Sequence, residues 1–190
     1  MRDSTAGEEG GLRPDRSRRA HHPPLPHPGP RRRWLVKYVY SDVPEVLDVR
    51  EELFVRGRLR SGATIRAGQL LLVDGTAEGS ISVEDGGVLV MSGLLSAFID
   101  GNDGVIAVSG AVSTPLEMVP GRLLLTEGSF ATIDGDFRVV TRLGFEASLE
   151  TTLTDQDLRT RTVLELSRPS MRLEVTTHDA FARLSEAMAR

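Results

Sequence analysis

The chain contains no cysteine, which excludes disulfide frameworks, thiolate metal sites and thiol nucleophiles together. Aromatic residues make up only 5% of it, with a single tryptophan. No apolar run approaches the ~18 residues that a membrane-spanning helix needs. Residues 1–33 hold no apolar stretch of the kind a secretory signal carries, so the expected compartment is the cytoplasm. What is present is 190 residues, 39% apolar and 26% charged, with 19 glycines and 10 prolines. That is the size of one domain with a core of its own.

Three compositions follow one another. Residues 1–33 carry eight arginines against four acids, six prolines and three of the four histidines, with Leu12 and Leu25 as the large apolar residues beyond Met1. Such a stretch buries too little apolar area to offset the entropy of ordering its backbone and is expected to be disordered. Its net charge is +4, against −6 for residues 34–133 and −2 for residues 134–190. A basic tail on an acidic body can bind another protein, nucleic acid or an anionic membrane surface, which would place the protein at the membrane periphery. The residues for such binding are Arg31, Arg32 and Arg33 followed by Trp34, three guanidinium groups beside an indole. His21, His22 and His27 lie among prolines with no carboxylate to orient them, so no metal site is expected. Pro23-Pro24-Leu25-Pro26 fits a short polyproline ligand pattern.

The body is built from a repeat. Glycines at positions 57, 75, 93, 110, 128 and 144 are spaced by 18, 18, 17, 18 and 16 residues. Four positions before them stand Leu53, Leu71, Leu89, Ile106 and Leu124. Two before stand Val55, Val73, Met91, Val108 and Thr126; two after stand Leu59, Ala77, Leu95, Val112 and Phe130. The intervening position is polar each time: Arg56, Asp74, Ser92, Ser109 and Glu127. Phased columns of this kind make each repeat one coil of a β-solenoid, with alternation giving a strand and glycine permitting the bend. An antiparallel sandwich also spaces short strands at about 8–12 residues, but does not require the phased columns. The expected architecture is mainly β: a single-stranded β-solenoid (β-helix) of five to six rungs over residues 34–136, with Trp34, Val36, Tyr38 and Tyr40 alternating as an N-terminal capping strand. Five rungs at ~4.8 Å each give a stack of about 24 Å.

The sixth glycine unit breaks the pattern, because Arg142 and Glu146 fall where apolar side chains belong. Phe137 to Leu153 alternate without a miss and suit one long antiparallel strand. After Thr154-Asp155-Gln156-Asp157 come strands over Thr162, Leu164 and Leu166 and over Met171, Leu173 and Val175. Thr177 reads as the N-cap of a helix running to Arg190, with Asp179 in its first turn and Phe181, Leu184 and Met188 on one face. Residues 137–190 are thus expected to be an antiparallel β-meander plus a terminal α-helix that caps the last rung, the helix face being available to a partner.

The units LFVRGRLRSGATI and LLVDGTAEGSISVEDGGVLVMSG resemble the glycine-punctuated coils of bactofilins, the polymer-forming cytoskeletal proteins of bacteria, over about residues 49–133. The resemblance implies a short β-helix with a proline-containing N-terminal tail, stacking end to end as a scaffold without nucleotide. It transfers no catalytic residue. A departure is the long segment 137–190, which as a cap would turn filaments into a dimer joined at the other end.

Nothing in the sequence assembles a nucleophile, a base and a group to orient it. No histidine occurs between His27 and His178, where solenoid acyltransferases and carbonic anhydrases place theirs. Asp100, Asn102 and Asp103 read as a turn between rungs rather than a calcium repeat, which would need an array. The expected function is therefore non-catalytic and without cofactor: a scaffold self-associating through solenoid ends, at an edge carrying Leu53 and Val55, with the tail as a recruitment segment. The alternative is a capped, non-polymerising protein-binding module of a larger bacterial complex. The two differ in whether residues 34–48 leave the first rung open.

Overall fold

In the computed structural model the chain divides into residues 1–33 and residues 34–190. The structure describes residues 36–147, 160–168 and 170–190. They form a β-solenoid of about five turns, an antiparallel meander and one terminal helix, as the repeat predicts. The first rung carries β1 (Lys37–Val39) and β2 (Leu47–Val49), the second β3 (Leu53–Leu59) and β4 (Gly62–Ile65), and the third β5 (Leu70–Ala77) and β6 (Ser80–Val83). The fourth holds β7 (Val88–Met91), β8 (Leu94–Leu95) and β9 (Phe98–Asn102). In the fifth, β10 (Val105–Val108) and β11 (Ala111–Pro115) lead into a 3-10 turn over Leu116–Met118; the sixth is β12 (Arg122–Thr126) and β13 (Phe130–Ile133).

These strands stack in parallel on three faces. On the first, β1-β3-β5-β7-β10-β12 align Leu53 with Leu71, Leu89, Ile106 and Leu123. The second face takes the C-terminal halves of β3 and β5, then β8, β11 and β13; the third is β2-β4-β6-β9. Inward side chains of all three faces make one aliphatic core. The glycines mark the corner between the first two faces. A Cβ on Gly75 would collide with the carbonyl oxygen of Gly57, one on Gly93 with that of Gly75, and one on Gly110 with that of Gly93. The column is therefore glycine because successive backbones pass too closely for any side chain.

Two expected positions shift. Glycine spacing places Leu124, Thr126 and Phe130 in the inward columns of the last rung, whereas Leu123, Leu125 and Ala131 occupy them. Val108 pairs with Leu125 but Ala111 with Phe130, so this corner holds two extra residues and Gly128 is not in the glycine column. The segment DGNDG is likewise not a turn throughout: residues 100–102 belong to β9, with Asp100 as an extra residue where the register shifts. Asn102 is buried, and its amide donates to the carbonyls of Pro120 and Arg122, each at 3.0 Å.

The meander closes the C-terminal end. β14 (Asp136–Thr141) pairs antiparallel with β13, and β15 (Gly144–Ala147) with β14. β16 (Val163–Ser167) pairs antiparallel with β12, and β17 (Arg172–Thr176) with β16. The single strand expected from Phe137 onward is instead a hairpin turning at Arg142 and Leu143. Paired positions such as Val140 and Phe145 differ by an odd number, so the alternation that runs unbroken through the sequence changes face at the turn. The rest of that expected strand, and the Thr154–Asp157 turn, lie outside the described residues.

Helix α1 (Ala180–Met188) starts later than expected: Asp179 holds the N-cap position without a side-chain cap bond, and the Ala180 N–H donates to Nδ1 of His178 at 3.1 Å. It does not cover the last rung. It lies on the outer side of the first face, where Ala180, Phe181, Leu184 and Ala187 pack with Phe54, Leu70, Leu72, Val90, Ala107 and Leu124 in a second apolar cluster. Strands buried on both sides read as continuous apolar runs, which is why Leu70 to Val73 and Val88 to Met91 carry no polar residue.

Candidate functional site

With the C-terminal end closed, the first rung is the candidate site. Parallel pairing of β1 with β3 sets Lys37 against Leu53, Tyr38 against Phe54 and Val39 against Val55; β2 pairs with β4. Between them Val43 takes a hydrogen bond from the Arg60 N–H (3.0 Å) and donates to the Arg58 carbonyl (2.7 Å). The other edges of β1 and β2 carry no strand among the described residues. Inward-pointing Val39, Val43 and Leu47 are only half-buried against the core, Val49 is buried, and Tyr40 and Val46 are 61% and 63% exposed. The solenoid's apolar cross-section thus reaches solvent here.

Ion pairs hold this rung to the next. Arg60 meets Asp42 at 2.9 Å, and Arg66 meets Asp48 at 2.7 Å while reaching Glu84 of the third rung at 2.8 Å. The Arg60 guanidinium holds the Asp42 carboxyl below the usual range; Arg66, seconded by Arg50, does so for Asp48, and Arg66 with the Ala67 N–H for Glu84. Arg66 is in turn raised, chiefly by its bond to Asp48. Below them Arg56 pairs with Asp74 at 3.0 Å, and Asp74 accepts from Ser92 at 2.8 Å. The polar position before the first three glycines is therefore a ladder between rungs, whereas Ser109 donates to the Met91 carbonyl at 3.1 Å and Glu127 pairs with Arg142 at 2.8 Å. On the outer side, Tyr38 stands edge-on to Phe54 with ring centres 5.5 Å apart and stacks on Tyr40 at 5.9 Å.

Leu53 and Val55, expected at an association edge, are buried and covered by β1. The outermost described strands lie one rung earlier, because residues 36–49 complete a rung of their own rather than adding one strand. Phe181 and Leu184, expected to face a partner, are buried on this chain's own first face, with Met188 beside them. A side chain that already fills an intramolecular contact is not free to fill another. Arg31, Arg32, Arg33 and Trp34 lie outside the described residues. Among those described, no group of three His, Asp or Glu side chains is placed to hold a metal ion, and no helix is long and apolar enough to cross a membrane.

What the sequence reading missed is the outward column Phe54, Leu72, Val90, Ala107 and Leu124, apolar in every rung. Its signal was available: a strand with only one buried side would carry polar residues there. No protein-family model matches the chain, and no curated protein or solved structure matches it either.

Proposed function

We propose that this protein is a non-catalytic structural scaffold, bactofilin-like in its repeat, that self-associates through the first rung of its solenoid, with residues 1–33 as a recruitment segment for a further partner. The observation that carries the reading is the half-buried trio Val39, Val43 and Leu47 beside two strand edges that no described strand pairs. An apolar core cross-section ending at solvent is the surface a further layer of strands stabilises by covering. Light scattering after size exclusion on the full chain, over a concentration series, tests it. A species larger than the monomer that dissociates in a Val39→Asp variant supports the scaffold.

A second reading, the capped protein-binding module that does not polymerise, is favoured by a different observation. The first-rung strands have three residues each, Lys37 is exposed on one, and Pro44 between them offers no N–H. Short strands, lysine and proline are devices that blunt sheet edges. A monomer at every concentration selects this reading.

A further inference from the structure

The cap closes the core but leaves the first-face sheet with an edge. The order there runs β12-β16-β17, and the far side of β17 carries no strand among the described residues. Of the edges at the two ends this is the least guarded. β1 and β2 have three residues each, with Lys37 in one and Pro44 between them, and β15 has four, one of them Gly144 at φ +133°. β17 has five, pairs with β16 without a register shift, and contains neither lysine nor proline. Short length, lysine, proline and bulges are what keep a free edge from pairing. The core-side residues of β17 are also incompletely covered: Leu173 is half-buried and Val175 is 67% exposed.

On the solvent side of β17 stand Arg172 and Glu174, both exposed and neither ion-paired among the described residues. Glu174 lies opposite Glu165, whose carboxylate is already held by Nε and Nη2 of Arg122, each at 2.9 Å. Like charges directly opposite across a sheet are unfavourable, so Glu174 has a carboxylate on its paired side and no cation on its open side. We propose that β17 is a pairing edge for the β17 of a second copy of this chain, joined antiparallel about a two-fold axis at Leu173. The sequence Arg172-Leu173-Glu174 is complementary to itself in that register: Arg172 meets the other copy's Glu174, Leu173 meets Leu173, and Val175 lies beside Met171. Each row of charge then runs Arg122, Glu165, Glu174 and the other copy's Arg172, two carboxylates with a guanidinium on either side. An axis at Glu174 or at Arg172 sets like charge against like, and a shift by one residue turns the core face outward. This contact is isologous and closes on itself. It lies at the opposite end from the first rung, goes beyond the reading of that rung as a joint, and does not rest on it.

Charge reversal on the full-length chain, followed by sedimentation over a concentration series, tests the pairing. Arg172→Glu alone sets carboxylate against carboxylate at both charged positions, and Glu174→Arg alone sets guanidinium against guanidinium. Each is expected to weaken association by about tenfold or more, with circular dichroism unchanged because both side chains are exposed. An equimolar mixture of the two variants restores opposite charges at both positions and is expected to recover a heterodimer; the double variant is expected to recover a homodimer. Association that neither reversal weakens, while Val39→Asp dissociates the protein, overturns the β17 pair and leaves the first-rung scaffold standing. Weakening by both reversals with no recovery on mixing overturns the two-fold register. A dimer that persists in Val39→Asp and yields to the reversals supports the β17 pair whatever becomes of the first rung. A monomer of the unaltered chain at every concentration overturns both contacts.

Discussion

The two ends of the solenoid meet the same physical problem and answer it differently. Every parallel stack must stop somewhere, and the last rung exposes both an apolar core and a row of unpaired backbone groups. At the C-terminal end the chain lays down two antiparallel hairpins, β14–β15 on one face and β16–β17 on another, so that Leu164 and Val140 are sealed from solvent. At the N-terminal end no strand among the described residues reverses. Residues 36–49 repeat the rung in parallel, held by Asp42–Arg60 and Asp48–Arg66, and leave their own interior side chains half-covered. A parallel addition moves the exposed end by one layer, whereas an antiparallel hairpin changes what is exposed there. One end therefore stops the stack, and the other leaves its outermost described layer half-covered.

The strongest break in this comparison removes the stack that both ends share. Gly93→Ala must push its Cβ into the Gly75 carbonyl, and a loss on the order of 4 kcal/mol or more is expected in chemical denaturation. Gly135→Ala, with open space around it but φ of +82°, is expected to cost only about 1–2 kcal/mol. Next, the ends can be set against each other directly. Leu164→Ala, in the closed end, is expected to cost about 2–5 kcal/mol, and Leu47→Ala, half-exposed at the first rung, under about 1 kcal/mol. Equal losses from the two would show the first rung to be as sealed as the cap.

Association sharpens the contrast further. Val39→Asp should weaken self-association by about tenfold or more, an effect of roughly 1.4 kcal/mol, with circular dichroism unchanged. Smallest is the response to acid. Asp42, Asp48 and Glu84 have carboxyls held below their ordinary values by Arg60 and Arg66. Their contribution is complete above the ordinary carboxylate range near pH ~4 and is lost as pH falls through the lower folded values. Acidification is therefore expected to loosen the first rung. Faster amide exchange at Val43 and Arg66, whose N–H groups bond the carbonyls of Arg58 and Val49, would report it.

Much of the fold is legible in the residues. Leu53, Leu71, Leu89 and Ile106 follow the glycine spacing because one coil of a solenoid has nearly constant length, so sequence distance and stacking coincide. The reading slips at Gly128, where two extra residues sit in a corner and spacing no longer measures register. It slips again at Arg142 and Leu143, since alternation passes unbroken through a two-residue turn and does not reveal that the chain has reversed. The candidate site was placed one rung too late: Leu53 and Val55 have the apolar pattern of an end, but the short segment 36–49 has too few residues in strands to announce itself as a rung.

The sequence by itself determined the parallel stack, its glycine corner and the change to an antiparallel meander, because each depends on periodicity along one stretch of chain. Only the tertiary structure decided where that stack ends and what α1 does. Phe181 and Leu184 make an amphipathic face that suits any apolar surface; it is the outward column from Phe54 to Leu124, contributed by five separate rungs, that claims them. An edge is open or closed according to what folds back against it, and that is a relation between segments far apart in the chain.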